Sequence, residues 1–462
     1  MSGTYAHFIG VGGAGMSGIA RVLHERGITV TGSDLRDSRY AAALQDVGVT
    51  VHIGHDAANL KDPEIVVVST AIPETNPELA EARRCGIPVW PRARMLAELA
   101  GDRLTVAVAG THGKTTTSSL MAAALIAAGE DPTFLIGGEL TDVGSNARCG
   151  DGSHYVVEAD ESDGSFLYLD PSCAIVTNVE ADHLDHYASI DEIVDIFRQF
   201  LGRVRPDGVA VLCADDERLM GLAPSCPARI VTYGRSDSAD VRMTTYEATR
   251  DGGVFSVMLP DGTLIPCSVK APGAHMALNA TGVMAAAWAL GVDLEAAAAG
   301  IAGFGGVKRR FEHVGEVDGV SIVDDYAHHP TEVRATLGAS VSASGGARWV
   351  VFQPHRFSRT AAFARQFGSS FDDADRVVIL DVYGAGEAPV PGVSGKTVVD
   401  AILRHRPRTR LAYFPHRGDV AGYVADRVRP GDLVMTMGAG DVTSMGPEIV
   451  RAMTKRARRS AT

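Results

Sequence analysis

Long apolar runs are missing from this 462-residue sequence. No stretch approaches the roughly 18 apolar residues of a membrane-crossing helix, which excludes a transmembrane protein of that kind. Cysteine is scarce, and the six present (Cys85, Cys149, Cys173, Cys213, Cys226 and Cys267) form no Cys-x-x-Cys pair. Several fall within strand-like runs, where a thiol behaves as a small buried hydrophobe, and a reducing cytoplasm fits this usage. Positive charge is in deficit. A formal net charge of −13 speaks against nucleic acid or an anionic membrane as the main partner. Only six of the 43 basic residues are lysines, so each placed lysine is informative. The short basic end (Lys455, Arg456, Arg458, Arg459) reads as a solvated helix terminus. No leader is legible, because glycines interrupt the early apolar run and the first basic residue is Arg21. No internal repeat or low-complexity segment stands out. The remaining composition, 45% hydrophobic and 21% charged, is that of a globular chain. At about 150 residues per domain, its length suggests roughly three domains.

One stretch organises the rest. A β-rich run at 104–109 stops at Gly110, and Gly-Thr-His-Gly-Lys-Thr at 110–115 opens an Ala/Leu-rich helix ending at Gly129. Amides at a helix N-terminus lack intrahelical partners and favour an anion. Gly110, Thr111, His112, Gly113, Lys114, Thr115 and Thr116 therefore read as a phosphate loop. Lys114 supplies charge to phosphates, and Thr115 offers a hydroxyl to Mg²⁺. Val108 stands where the usual motif has its first glycine, so the match is to a shorter variant. A chance Gly-Lys-Thr turn is the alternative, and the flanking strand and helix disfavour it.

Residues 5–95 alternate strands (5–10, 28–32, 49–53, 64–70, 87–90) with helices (15–26, 38–47, 77–85), a pattern that predicts a parallel doubly wound sheet. The first strand runs into Gly-x-Gly-x-x-Gly at Gly10, Gly12 and Gly15, and Asp34 ends the second strand. Such a loop (Gly12, Gly13, Ala14, Gly15, Met16, Ser17) holds any diphosphate. A nicotinamide dinucleotide, another diphosphate-linked ligand and a purely structural turn all remain open. Ser69, Thr70 and Ala71 close the fourth strand, where open parallel sheets place ligand contacts. Residues 91–103 read as a linker helix.

Beyond the phosphate loop, a short strand ends in Glu158, Asp160, Glu161 and Asp163. A second leads into the 178–187 segment, which carries further acids and His183. A parallel sheet brings both runs to the edge that holds the phosphate loop, where carboxylates suit Mg²⁺. A helix at 189–203 and strands near 208–213 and 228–233 follow. Residues 241–269 alternate in period two around Asp-Gly turns and read as β-hairpins. A long Ala-rich helix follows over 275–290, and then glycines beside Lys308, Arg309 and Arg310, which suit a domain joint. From about 311, strands around 318–319 and at 348–352, 376–381 and 433–437 each end in polar loops before helices. That predicts a second α/β sheet with a site on its C-terminal edge. Arg356 and Arg359, read as three apart on a helix's first turn, are expected to fork onto one carboxylate.

These motifs together resemble the Mur ligases of peptidoglycan synthesis nearly end to end. The resemblance is carried by the glycine loop at 10–20, Gly110–Thr117, the acids at 158–163, Thr177–His183, Arg309–Phe311, Asp324–Pro330 and Pro354–Arg359. It implies an α/β chain of three domains. They are an N-terminal Rossmann-like sheet (1–98) for the UDP substrate, a central P-loop NTPase-like unit with a β-hairpin insert (99–310) for ATP, and a C-terminal Rossmann-like unit (311–462) for the amino acid. The implied reaction joins L-alanine to the lactyl carboxylate of UDP-N-acetylmuramate through an acyl phosphate, giving ADP and phosphate. ATP and Mg²⁺ are the implied cofactors, and the enzyme is expected to be a cytoplasmic monomer or homodimer. Lys114, Glu158, His183 and Arg359 are then catalytic, and Thr115, Glu158 and His183 hold the metal. Asn279, Arg310 and Asp325 join residues 110–116 around ATP. Arg356 and Arg359 clamp the amino acid. Residues 12–17, Asp34 and Ser69–Ala71 take the UDP portion, with Tyr326 and His328 near its reacting end. Two departures stand out: Met276 follows His275 where the family often has Asn, and no lysine lies between Lys114 and Lys270 to serve as the carbamylated residue of many relatives. A dinucleotide-dependent dehydrogenase leaves Gly-Lys-Thr idle, an NTP-binding switch leaves the third domain unexplained, and a tripeptide-adding ligase is the alternative within the family.

Overall fold

The computed structural model describes residues 5–460 apart from 163, 184–185 and 250–251. Asp163 of the first acidic run and Asp251 of the first expected hairpin turn therefore lie outside the described residues. The described residues form three sheets.

The first sheet holds β1 (Tyr5–Ile9), β2 (Thr29–Asp34), β3 (Thr50–Ile53), β4 (Ile65–Val68) and β5 (Val89–Pro91), all parallel in the order 3-2-1-4-5. Sheets covered by crossover helices on both faces bury whole strands, which is why Ile65–Val68 is unbroken aliphatic sequence. The helix Pro77–Arg84 starts where Asn76 accepts the amides of Glu78 and Leu79 and Pro77 presets the first turn.

The second sheet is the largest. Its strands are β6 (Leu104–Ala109), β7 (Thr133–Leu140), β8 (Ser145–Arg148), β9 (His154–Glu158), β10 (Cys173–Val176), β11 (Val209–Cys213), β12 (Arg229–Gly234), β13 (Val241–Thr249), β14 (Gly252–Met258) and β15 (Leu264–Val269). They run in the order 15-14-13-12-11-10-6-9-7-8. The section from β13 to β7 is parallel, and antiparallel pairs close both edges. The expected hairpins are β13–β15, whereas the β7–β8 hairpin was not anticipated. β6 lies between β10 and β9, so the phosphate loop and both acidic loops leave neighbouring strands at one edge.

The third sheet contains β16 (Glu312–Val317), β17 (Val320–Asp325), β18 (Arg348–Phe352), β19 (Arg376–Leu380), β20 (Leu411–Phe414) and β21 (Leu433–Met437), ordered 16-17-21-18-19-20 with only β16 antiparallel. Alternation along its strands feeds two cores: Val350 and Phe352 face one, Trp349 and Val351 the other. By contrast, one continuous core runs from the first sheet into the second. The helix Ala14–Glu25 lies against the β7–β8 hairpin, close enough that a Cβ on Gly18 would stand 3.1 Å from Ala147. Asn146 donates to the Ala14 carbonyl at 3.0 Å, and Arg26 to that of Leu99 at 2.7 Å. The glycine loop is thereby held to the central sheet. No helix among the described residues is long and apolar enough to cross a membrane.

Under the first sheet, Glu78 is fully buried yet gathers His7, Ser33 and Asn59 as hydrogen-bond partners. Burial works against its charge, but those bonds hold its pKa at about 2. Glu78→Ala strands these buried partners and should cost about 3–5 kcal/mol, the scale of a broken buried polar cluster. Urea unfolding of the full chain measures this, and a loss below about 1 kcal/mol, the level of a routine point substitution, contradicts it.

Candidate active site

At the end of β6 the backbone turns back sharply. Gly110 has φ +131°, and a Cβ there would lie 2.0 Å from Thr177 Oγ1; Gly113 has φ +84° and caps the helix Lys114–Ala127. Residues 177–180, after β10, are laced to this loop. The His112 amide donates to Asn178 Oδ1 (2.9 Å), Thr177 Oγ1 to the His112 carbonyl (2.6 Å), and the Glu180 amide to Thr111 Oγ1 (2.9 Å). The sequence singled out this segment for its acids. Its part in shaping the phosphate loop emerges from the strand order.

Lys114 Nζ sits between both carboxylate oxygens of Glu161 (2.7 and 2.8 Å) and the carbonyls of Gly110 and Thr111. Burial disfavours its charge, but Glu161, Asp160 and Glu158 raise its pKa and keep it protonated. Thr115 Oγ1 donates to Glu158 Oε1 at 3.1 Å, and the Gly137 amide to Glu158 Oε2 at 2.8 Å. Two of the three expected metal ligands are thus adjacent. The third, His183, has φ +51° and directs Nε2 toward Glu161 Oε1, 3.7 Å away. Glu161 was read only as one acid of a run, and nothing local in the sequence marks it as the partner of Lys114.

A cavity of about 270 Å³ opens beside the loop. His112, Gly113, Thr116, Asn279, Arg310 and Asp325 all line it, drawn from three distant parts of the chain. Tyr233, His275, Met276 and Phe311 are also among its lining residues. Asp325 accepts the amides of Phe311 and Ala327, both at 2.8 Å, so it also shapes the wall it belongs to. Burial lowers the His275 pKa to about 4 and leaves that ring neutral.

His112 ties the central sheet to the third. Its Nε2 is 3.1 Å from Glu180 and its Nδ1 3.2 Å from Glu332, while Thr331 Oγ1 donates to Glu180 at 2.7 Å. Burial opposes a charged ring here, but the two carboxylates outweigh it and raise its pKa to about 9. Arg310 lies 4.0 Å from Glu332, and both Arg309 and Arg310 sit over the Tyr326 ring. His328 packs edge-on to Tyr326 and His355. Burial brings its pKa to about 4, and burial with nearby cations brings that of His355 to about 3.

The expected arginine pair needs correction. Arg356 has φ +66° and precedes the helix Phe357–Ala362, whereas Arg359 lies inside it, so the two do not share a first turn. Arg359 is buried, with Nε and an Nη each 2.9 Å from Asp182 Oδ1, while Arg356 faces Glu387 at 3.8 Å. They hold different carboxylates. At the first sheet, Asp34 accepts the Gly12 amide at 2.9 Å, Ser38 donates to the Gly12 carbonyl, and Ser69 accepts the Ala71 amide. Met16 and Ser17 are buried in the helix that Gly13 opens. Arg92, unpredicted, lies against Gly15: a Cβ there would be 3.0 Å from its guanidinium.

Comparison with known proteins covers almost the whole chain. The Mur ligase family catalytic domain matches residues 5–103, the Mur ligase middle domain 108–287, and the Mur ligase glutamate ligase domain 309–440. The UDP-N-acetylmuramate–L-alanine ligase of Saccharopolyspora erythraea is 49% identical over 454 residues, covering 96% of this chain and 92% of its own. That of Mycolicibacterium vanbaalenii is 47% identical, with 98% and 96% covered. Among solved structures, a UDP-N-acetylmuramate–alanine ligase from Thermotoga maritima superposes with a TM-score of 0.80 at 27% identity, covering 98% of this chain and 99% of its own. A murein peptide ligase from Psychrobacter arcticus gives 0.72 at 26%, with the same coverage.

The joint predicts a pH dependence. Because the folded pKa of His112 exceeds its ordinary 6.5, its ion pairs contribute fully below about 6.5 and are lost as pH rises through about 9. The wild-type melting temperature should therefore fall relative to that of His112→Asn across this window. The ceiling is about 3 kcal/mol, at 1.36 kcal/mol per unit of pKa. Parallel curves for the two proteins contradict the assignment.

Proposed function

The chain belongs to the Mur ligase family, and we propose on that footing that it is an ATP-dependent ligase joining L-alanine to the lactyl carboxylate of UDP-N-acetylmuramate, a step in making peptidoglycan precursors. The observation that carries this reading is the cavity beside Lys114, where six of the ten residues expected around ATP converge from both sides of the joint. We divide the labour as residues 1–98 for the UDP substrate, 99–310 for ATP and 311–462 for the amino acid. The enzyme works in the cytoplasm as a monomer or homodimer.

In this reading Lys114 and the amides opening the helix Lys114–Ala127 hold the β- and γ-phosphates, with adenosine in the cavity against Asn279, Arg310 and Asp325. Thr115 and Glu158 are hard oxygen donors already 3.1 Å apart, a pair that fits Mg²⁺, and His183 is taken as the third ligand. When bound, the metal supplies further charge neutralisation on the phosphates. The lactyl carboxylate attacks the γ-phosphorus and displaces ADP, and the resulting acyl phosphate is attacked by the alanine amine. A tetrahedral intermediate then expels inorganic phosphate and leaves the amide. The protein's task is to neutralise and orient charge rather than to form covalent bonds. Residues 12–17 with Asp34, Arg92 and Ser69–Ala71 bind the UDP portion, and Tyr326 and His328 face the reacting end. Arg359, whose guanidinium already accommodates the Asp182 carboxylate, receives that of L-alanine.

Phosphate release with UDP-N-acetylmuramate, ATP and each amino acid in turn tests the reading. L-Alanine should support release, and stimulation by a tripeptide but not by alanine overturns it. Lys114→Ala should abolish release while leaving UDP-substrate binding nearly intact, since the two loops belong to different sheets. Arg359→Ala should raise the alanine requirement far more than the ATP requirement, by roughly 10²–10³, the effect of losing one donor to substrate charge. An unchanged alanine KM removes Arg359 from the amino-acid site.

A further inference from the structure

The phosphate loop's cation is already spoken for. An ammonium has three N–H donors, and Lys114 Nζ faces four acceptors: Glu161 Oε1 at 2.8 Å, Glu161 Oε2 at 2.7 Å, the Gly110 carbonyl at 2.8 Å and the Thr111 carbonyl at 3.3 Å. No donor is left for a phosphate oxygen. The lysine and glutamate side chains are only 12% and 2% exposed, so this contact is not a solvent-screened surface pair. A phosphate group can reach Lys114 only by displacing one of these acceptors, and the carboxylate among them also repels it.

The surroundings decide where that carboxylate goes. The backbone of Glu161 is pinned, because its carbonyl accepts the Tyr187 hydroxyl and the Gly164 amide. Only its side chain can swing. Glu158 next to it is already engaged by Thr115 and Gly137 and is an acid in any case. Among the described residues, the imidazole of His183 lies beside Glu161, with Nε2 3.7 Å from Glu161 Oε1. His183 follows Asp182, which holds Arg359, so the loop that receives Glu161 also reaches the third sheet.

We propose that Glu161 is a positioning residue of the phosphate site: it holds Lys114 while no phosphate is bound, yields the ammonium to an incoming phosphate chain, and swings toward the loop that carries His183. The empty site is thereby electrically quenched, and filling it reorients a side chain against the His183 loop. The proposal rests on reading residues 110–116 as the site for ATP phosphates. Its ligand class is a polyphosphate, for which inorganic triphosphate is the probe.

Calorimetric titration of the full chain with inorganic triphosphate in EDTA tests it. Glu161→Gln keeps the shape but removes the competing charge, and should bind triphosphate about tenfold more tightly, the scale of one charge-assisted hydrogen bond. In turnover the same variant should show a lower KM for ATP together with a lower kcat, a split that a merely destabilised fold does not produce. If Glu161→Gln does not fold, Glu161→Ala should show the same tightening. Affinity equal to or weaker than wild type in the folded variant overturns the exchange. Failure of the wild-type protein itself to bind triphosphate, with Lys114→Ala indistinguishable from it, overturns the phosphate-site reading instead.

Discussion

A lysine ammonium buried at the edge of an apolar sheet must be neutralised, and much of the central architecture answers that demand. Lys114 stands at the mouth of β6, and the acids around it come from the loop after β9. An uncompensated charge there would cost several kcal/mol. Parallel strands deliver the compensation cheaply, since every C-terminal end opens on the same edge. With β6 between β9 and β10, the three loops are neighbours by topology alone.

Charge balance also couples the sheets. His112, inside the phosphate loop, stays protonated because one carboxylate from each side of the joint holds it. Asp182, from the loop laced to residues 111 and 112, pairs with Arg359 in a helix that follows β18 of the third sheet. The first sheet is joined differently: a continuous apolar core and a few hydrogen bonds set the glycine loop against the β7–β8 hairpin. Gly137 in β7 then donates to Glu158, so a chain of contacts runs from the glycine loop to the phosphate site. Apolar packing fixes one joint, and ionic contacts form the other.

Much of this is legible in the sequence. Strand and helix positions follow from periodicity, and the tight turn before the helix Lys114–Ala127 from glycines and a lysine in the right order between strand and helix. The β7–β8 hairpin was not legible, because Gly137 and Gly138 and the short Ser145–Arg148 strand carry little alternation. The arginine pair misled for a related reason. Spacing of three implies a shared helical face only if both residues are helical, and Arg356 adopts φ +66° just outside the helix.

What belongs to the sequence alone is local and chemical: which residues end strands, which glycine-bearing loop precedes a helix, and which side chains carry charge. These depend on neighbours in the chain, so they can be read along it. The partners were decided only by tertiary structure. That Lys114 meets Glu161 rather than Glu158, that Arg359 meets Asp182, and that Asn279, Arg310 and Asp325 share a cavity with His112 all depend on strand order and on the docking of one sheet against another. A buried charge selects its counter-ion by distance in space, and no spacing along the chain encodes that distance.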